Sequence, residues 1–483
     1  MQVRLTVALL VLTAVTGCSE GVDNTRIRVD IIEDRPRPFA IGATPLPISS
    51  AYLRSATAQG LVTFDTKGRI VPALANRWIV TDDGLSYIFR LNKIRWNDGK
   101  EITSDEVAKL LASRLKELRK GRFNAELAVI ERVVPMTGKV VEIRLKAPMP
   151  YLLEMIAQPE FGIVRKGFGS GPMQAKKFAQ AMQLRLKGVD DEGNPALENE
   201  TITLRSSEAS LALARYMAGQ SDLVDGGRFH DFPLLEAANV DGNEIHFDPV
   251  PGLFGLMFAD GGSFFSDPAN REAIAMAIDR PKLLTSFDIV AWQETLTLVP
   301  ENLPSRAPSP RPAWASQRIA DRKASARATV TRWVNGNGSV RALRVALPRG
   351  TGARIFFAML KADLAAIGLT IERVTLDRPH DLRLIDLVGD QSSPAWYLDQ
   401  LSCINSPVCN SDADRLVAEA RMAGDIETRA ALLAQAEIEL QNTRNFIPIA
   451  NPLRWSVAGR GLLGHSANGR GWHLLQYLGR DTT

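Results

Sequence analysis

Alternation and turn chemistry dominate the early part of the chain. Leu85, Tyr87, Phe89 and Leu91 alternate with Ser86, Ile88 and Arg90, which puts the four apolar residues on one face of a strand. Asp82-Asp83-Gly84, just before them, turns the chain back from Trp78-Ile79-Val80 and predicts a hairpin. Thr103, with Glu106 three residues on, makes a capping box for a helix carrying Val107, Leu110, Leu111, Leu115 and Leu118. A second strand pair is predicted over 131–148, around Thr137-Gly138.

Farther along, 201–205 alternates like a strand, and Ser206 or Ser207 caps a helix through Leu211, Ala214 and Met217 that stops at Gly219. The run Gly252-Leu253-Phe254-Gly255-Leu256-Met257-Phe258 is nearly all apolar, as a strand buried on both faces requires. Leu343, Val345 and Leu347, then Ile355, Phe356, Met359, Leu360 and Leu364, then Gly368 and Leu369, Ile371 and Val374 spell a β-α-β unit with parallel strands. Five prolines over 300–312 mark an extended surface loop. Two amphipathic helices are predicted at 413–424 and 427–440.

Length changes the picture first: 483 residues exceed one ordinary core and imply two or more lobes. The net charge of +4 comes from 58 basic and 54 acidic residues interspersed along the chain, which excludes a dedicated nucleic-acid binder with one basic face. Arg4 is the sole charge in the first 19 residues, and Leu5 to Val15 is an apolar run too short to span a bilayer. Val15-Thr16-Gly17-Cys18 resembles a bacterial lipobox, so the mature chain is expected to begin at a lipidated Cys18 with a net charge of +3, from 57 minus 54.

Candidate chemistry is sparse. No Gly-x-Ser-x-Gly, His-Glu-x-x-His or Cys/His arrangement occurs, so no enzyme activity is expected. The run Gly167-Phe168-Gly169-Ser170-Gly171-Pro172 lacks the Lys-Ser/Thr ending of a phosphate loop. His230, His246, His380, His465 and His473 stand singly, are read as structural or surface residues, and predict no metal site and no cofactor. With Cys18 assigned to lipid, Cys403 and Cys409 are expected to form a disulfide in an oxidising compartment.

The order of residues from Gly60 to Val107, GLVTFDTKGRIVPALANRWIVTDDGLSYIFRLNKIRWNDGKEITSDEV, resembles the family 5 extracellular solute-binding proteins, the dipeptide- and oligopeptide-binding subunits of bacterial ABC importers. The resemblance implies an α/β, two-lobed periplasmic-binding-protein-like fold of type II, in the large peptide-binding class with an extra small domain, closing on its ligand by hinge motion. The implied plan is a signal peptide at 1–17, a tether at 18–40, a discontinuous lobe I from 41–65, 190–258 and 450–483, an inserted lobe II at 66–189, and lobe III at 259–449. By position, Asp390 is the carboxylate that pairs with a ligand's α-ammonium group, with Trp396 and Tyr397 at the aromatic position beside it. The expected partners are a peptide or other small ligand, ABC permease subunits, and the membrane through Cys18; the chain itself would be a monomer on the extracytoplasmic side. Departures at Gln59, Ala259 and the stretch Leu184 to Gly193 keep open a non-peptide solute such as a nickel complex, sugar or opine. A ligand-sensing or chaperone-like module on the same fold is the other alternative.

Overall fold

The strand Arg26–Ile32 buries Ile27, Val29 and Ile31 and turns Arg26 and Arg28 outward, and it sits in the middle of the largest sheet. In this computed structural model, residues 25–480 are described, apart from 41, 43–44, 97, 190–194, 260–261, 290–291, 302 and 304–308. Cys18 and the expected signal peptide therefore lie outside the described residues. The seven-stranded sheet runs Met173–Phe178, Ala181–Val189, Pro195–Ser207, Arg26–Ile32, Leu223–Arg228, Arg454–Ala458, Ile245–Asp248. Arg26–Ile32 is parallel to both of its neighbours.

Three features differ from the expected plan. The stretch 18–40, expected as a tether, supplies that central strand. The hairpin Met173–Phe178 with Ala181–Val189 belongs to the same sheet, so lobe I begins before residue 190; Leu184, expected to open a loop, is a fully buried strand residue. Gly252–Phe258, buried at every position, lies in the five-stranded sheet of lobe III, between Leu382–Val388 and Phe446–Ala450. The chain therefore crosses between the two large lobes at 249–251 and 451–453.

The small lobe is a four-stranded antiparallel sheet, ordered Ala75–Val80, Ser86–Leu91, Val140–Leu145, Ile130–Met136, with the helix Ser104–Leu118 packed on it. Tyr87, Phe89 and Leu91 enter this core as their alternation predicts. The capping box is half made: the Thr103 side chain accepts from the Glu106 amide, but the Glu106 carboxylate turns to Trp96 Nε1 at 2.7 Å and to Arg165. Gly169 and Gly171 pass so close to the end of the helix Ile48–Thr57 that a Cβ at either would lie 2.0 and 2.3 Å from Thr57 backbone atoms. Close packing accounts for glycine at these two positions.

In lobe III, the strands Leu343–Leu347 and Ile371–Thr375 pair in parallel around the helix Thr351–Ala365. The helix Ala209–Met217 is present, but its face is rotated. Ala209, Ala212 and Leu213 are buried, while Leu211 and Met217 are about half exposed. Glu208 rather than Ser206 or Ser207 precedes it, because both serines belong to the strand and donate to Glu33 and Asp30. Cys403 and Cys409 are joined as a disulfide, in a loop whose Cys403 amide donates to Asp414 on the next helix.

Candidate ligand-binding cleft

Parallel strands end at the same place from both large lobes. Arg26–Ile32 and Leu223–Arg228 in lobe I, and Leu343–Leu347 and Ile371–Thr375 in lobe III, all deliver their carboxyl ends to one cavity of about 690 Å³. Open α/β sheets bind ligands at such ends. The lining comes from the loops that follow these strands: 33–37, 226–231, 347–350 and 375–377, with the entry to the helix Ile48–Thr57. A second cavity of about 340 Å³ shares Asp34, Arg228, Pro348 and Leu376, and extends along the strand Leu382–Val388.

Phe229 fixes this geometry. It leaves lobe I immediately after Arg228 and is fully buried in lobe III, edge-on to Phe254 at 4.9 Å and to Phe356 at 6.0 Å. The next residue, His230, accepts from the Gly352 amide through its carbonyl at 3.0 Å. A Cβ on Gly350, whose φ is +119°, would meet that carbonyl at 2.5 Å.

The wall carries charge of both signs. His230 Nε2 lies 3.0 Å from Asp34 Oδ1 and 3.2 Å from Asp231 Oδ2. The hydrogen bond with His230 holds the Asp34 carboxyl below its usual range, and burial pushes Asp231 up to about 6. Arg228 lines both cavities. Among the described residues, Asp34, His230 and Asp231 are the three-residue group whose ligand atoms all come within 4.8 Å of one another, so they are the side chains that could hold a cation. His230 is buried and paired, as a structural histidine is, and the sequence did not single out its grouping with Asp34 and Asp231. Its spacing from Asp34 is 196 residues, and no local pattern marks it.

Asp390, Trp396 and Tyr397 are brought together, but elsewhere. Trp396 and Tyr397 are 5% and 1% exposed and pack edge to face at 4.9 Å, so they form core beneath Gly389 rather than an open aromatic surface. None of the three lines either cavity. The Asp390 carboxylate is paired with Arg122 of lobe II, and its carbonyl accepts from Gln158 Nε2 at 2.9 Å. Burial pushes the Asp390 carboxyl up to about 6, with Arg122 opposing. The contact continues through the Ser392 amide to Glu154 at 2.6 Å and Gln391 Nε2 to Glu126 at 3.1 Å. Residues 390–392 of lobe III thus close directly onto lobe II.

The model of the bacterial extracellular solute-binding proteins, family 5 Middle, matches residues 69–403. A probable di/tripeptide-binding protein 5 of Pseudomonas aeruginosa is 24% identical over 470 residues, spanning 84% of this chain and 87% of the relative. The Escherichia coli murein tripeptide binding protein MppA superposes with a TM-score of 0.77 at 17% identity, covering 95% of this chain and 99% of that one. An unliganded open form of MppA, at 18% identity, covers 94% and 98% with a TM-score of 0.64.

Proposed function

From the premise that this chain belongs to the bacterial extracellular solute-binding proteins of family 5, we propose that it captures a short peptide between its large lobes and delivers it to an ABC importer. The observation that carries the peptide reading to a place is the 690 Å³ cavity, of the size that encloses small ligands and lined from both lobes by charges of both signs. A zwitterionic ligand meets such a wall with each end. The relative's printed name, a di/tripeptide-binding protein, points the same way. In this reading Arg228 is a principal ligand contact, and Asp390 acts by closing lobe III on lobe II.

Calorimetry against a mixed di- to pentapeptide library tests this. Wild-type protein is expected to bind, and Arg228→Ala to lose about 1.5 to 3 kcal/mol, the scale of a charged hydrogen bond. If no peptide binds, the peptide reading falls while family membership stands. If Arg228→Ala binds like wild type, the cavity is the wrong place.

The second part of the proposal is attachment to the membrane through a lipid on Cys18, with the chain a monomer on the extracytoplasmic side. The short apolar leader and the small residues before Cys18 support it. Among the described residues no helix is long and apolar enough to cross a membrane. Cys18→Ser is expected to abolish incorporation of labelled fatty acid, and labelling that persists would refute the assignment.

A further inference from the structure

The face of the large sheet opposite its core is basic, and alternation explains why. Ile27, Val29 and Ile31 point inward against Leu184, Ile202 and Leu204, so Arg26 and Arg28 point outward. Strand register carries the sorting sideways: Arg28 is paired with Thr203, Thr203 with Gln183, Gln183 with Lys176, and Ala181 with Phe178. All of these except Lys176, which stands beside it, line with Arg205 and Arg215 a groove of about 330 Å³ that has no carboxylate in its lining. Asp30 pairs with Arg205 and Arg215, and Asp222 with Arg28 and Arg480, so four arginines meet two carboxylates. Glu200 near Arg480 adds one more negative charge, and the exposed Lys176, on the same face of its strand as Phe178, adds a positive one, so five basic groups face three carboxylates. At the tip of the hairpin Phe178 is 59% exposed, flanked by exposed Lys176 and Lys177.

Position in the chain says what could cover this face. Arg26 opens the first strand eight residues after Cys18, and eight residues reach at most about 28 Å. A chain attached at Cys18 keeps this edge beside the membrane. We propose that the groove and the Lys176-Lys177-Phe178 tip form a membrane-docking surface for anionic phospholipid headgroups, with Phe178 entering the interface. The orientation rests on the Cys18 attachment proposed above; the affinity of the surface does not.

The test uses the mature chain from residue 18 with Cys18→Ser, which carries no lipid, in cosedimentation with phosphatidylcholine vesicles with and without phosphatidylglycerol. Binding is expected to the anionic vesicles alone and to fall as NaCl is raised. The double variant Lys176→Glu/Phe178→Ser, both positions exposed, is expected to lower it about tenfold or more, since each basic side chain near such a surface contributes a factor of about five. Gln183→Glu, on the groove floor, should weaken it in the same direction, and Lys361→Glu on the helix Thr351–Ala365 of lobe III should leave it unchanged. Equal binding to both vesicles, no binding to anionic ones, or full binding by the double variant overturns the proposal. Fatty-acid labelling at Cys18 without vesicle affinity leaves the attachment standing and removes the surface. Vesicle affinity without labelling does the reverse.

Discussion

Asp225→Ala is expected to destabilise the protein by about 3 to 5 kcal/mol, the cost of leaving a buried ionic partner alone. Asp225, 2% exposed in the strand Leu223–Arg228, accepts from Tyr52 Oη at 2.6 Å and lies 2.8 Å from His473 Nδ1. His473 Nε2 also lies 3.3 Å from Asp248, and its ring is 4.3 Å from that of His465. One carboxylate thus joins the first helix, the large sheet and the carboxyl-terminal segment. Burial disfavours the charged His473 ring, but Asp225 and Asp248 outweigh it and push the group up to about 10. Burial likewise opposes the Asp225 charge, which His473 holds below the usual carboxylate range.

The signs follow by linkage. A raised histidine contributes stability that is complete below its ordinary value of 6.5 and is lost as pH climbs through about 10. Lowered Asp225 contributes stability that is lost as pH falls below the ordinary value of 3.8. Wild-type melting temperature should therefore decline from neutral pH toward about 10, and His473→Gln should start lower and decline less. An equally steep decline in His473→Gln would assign the loss to other groups.

Asp390→Asn is expected to weaken free-amine and N-acetylated forms of the same peptide by a similar factor, about tenfold, because it removes the charge facing Arg122 and with it part of the closed contact. The variant should also shift small-angle scattering of the liganded protein toward a more open shape. A loss confined to the free-amine peptide would instead make Asp390 the ammonium contact, with Arg122 displaced on binding. Its carboxyl stands at about 6 despite Arg122, so one guanidinium does not offset the whole burial cost. Arg122→Ala separates the two roles: it should weaken closure in the first case and free Asp390 for the ligand in the second.

Local physics made much of the fold legible in the sequence. Period-two alternation at Tyr87, Phe89 and Leu91, the all-apolar Gly252–Phe258, and the β-α-β unit from Leu343 to Thr375 each reports its own burial, because side-chain direction follows from the backbone repeat alone. The ordered match from Gly60 to Val107 gave the family. Single-face choices were less secure. In Ala209–Met217 two apolar stripes compete, and the sheet beneath selects Ala209, Ala212 and Leu213 over Leu211 and Met217.

The site was mostly illegible for the same reason. Asp34 and His230 meet across 196 residues because parallel neighbours, Arg26–Ile32 and Leu223–Arg228, end together. Nothing within either segment encodes that pairing. Arg122 reaches Asp390 across 268 residues only when two lobes touch. By itself the sequence determined many of the strands and helices, the cysteine pair and the kind of protein, all set by residues near one another in the chain or by their order, but not the central strand Arg26–Ile32 or the hairpin strand around Leu184. Tertiary structure alone decided which charges face one another, because electrostatic pairing depends on distance in space and is set once separate strands share a sheet edge.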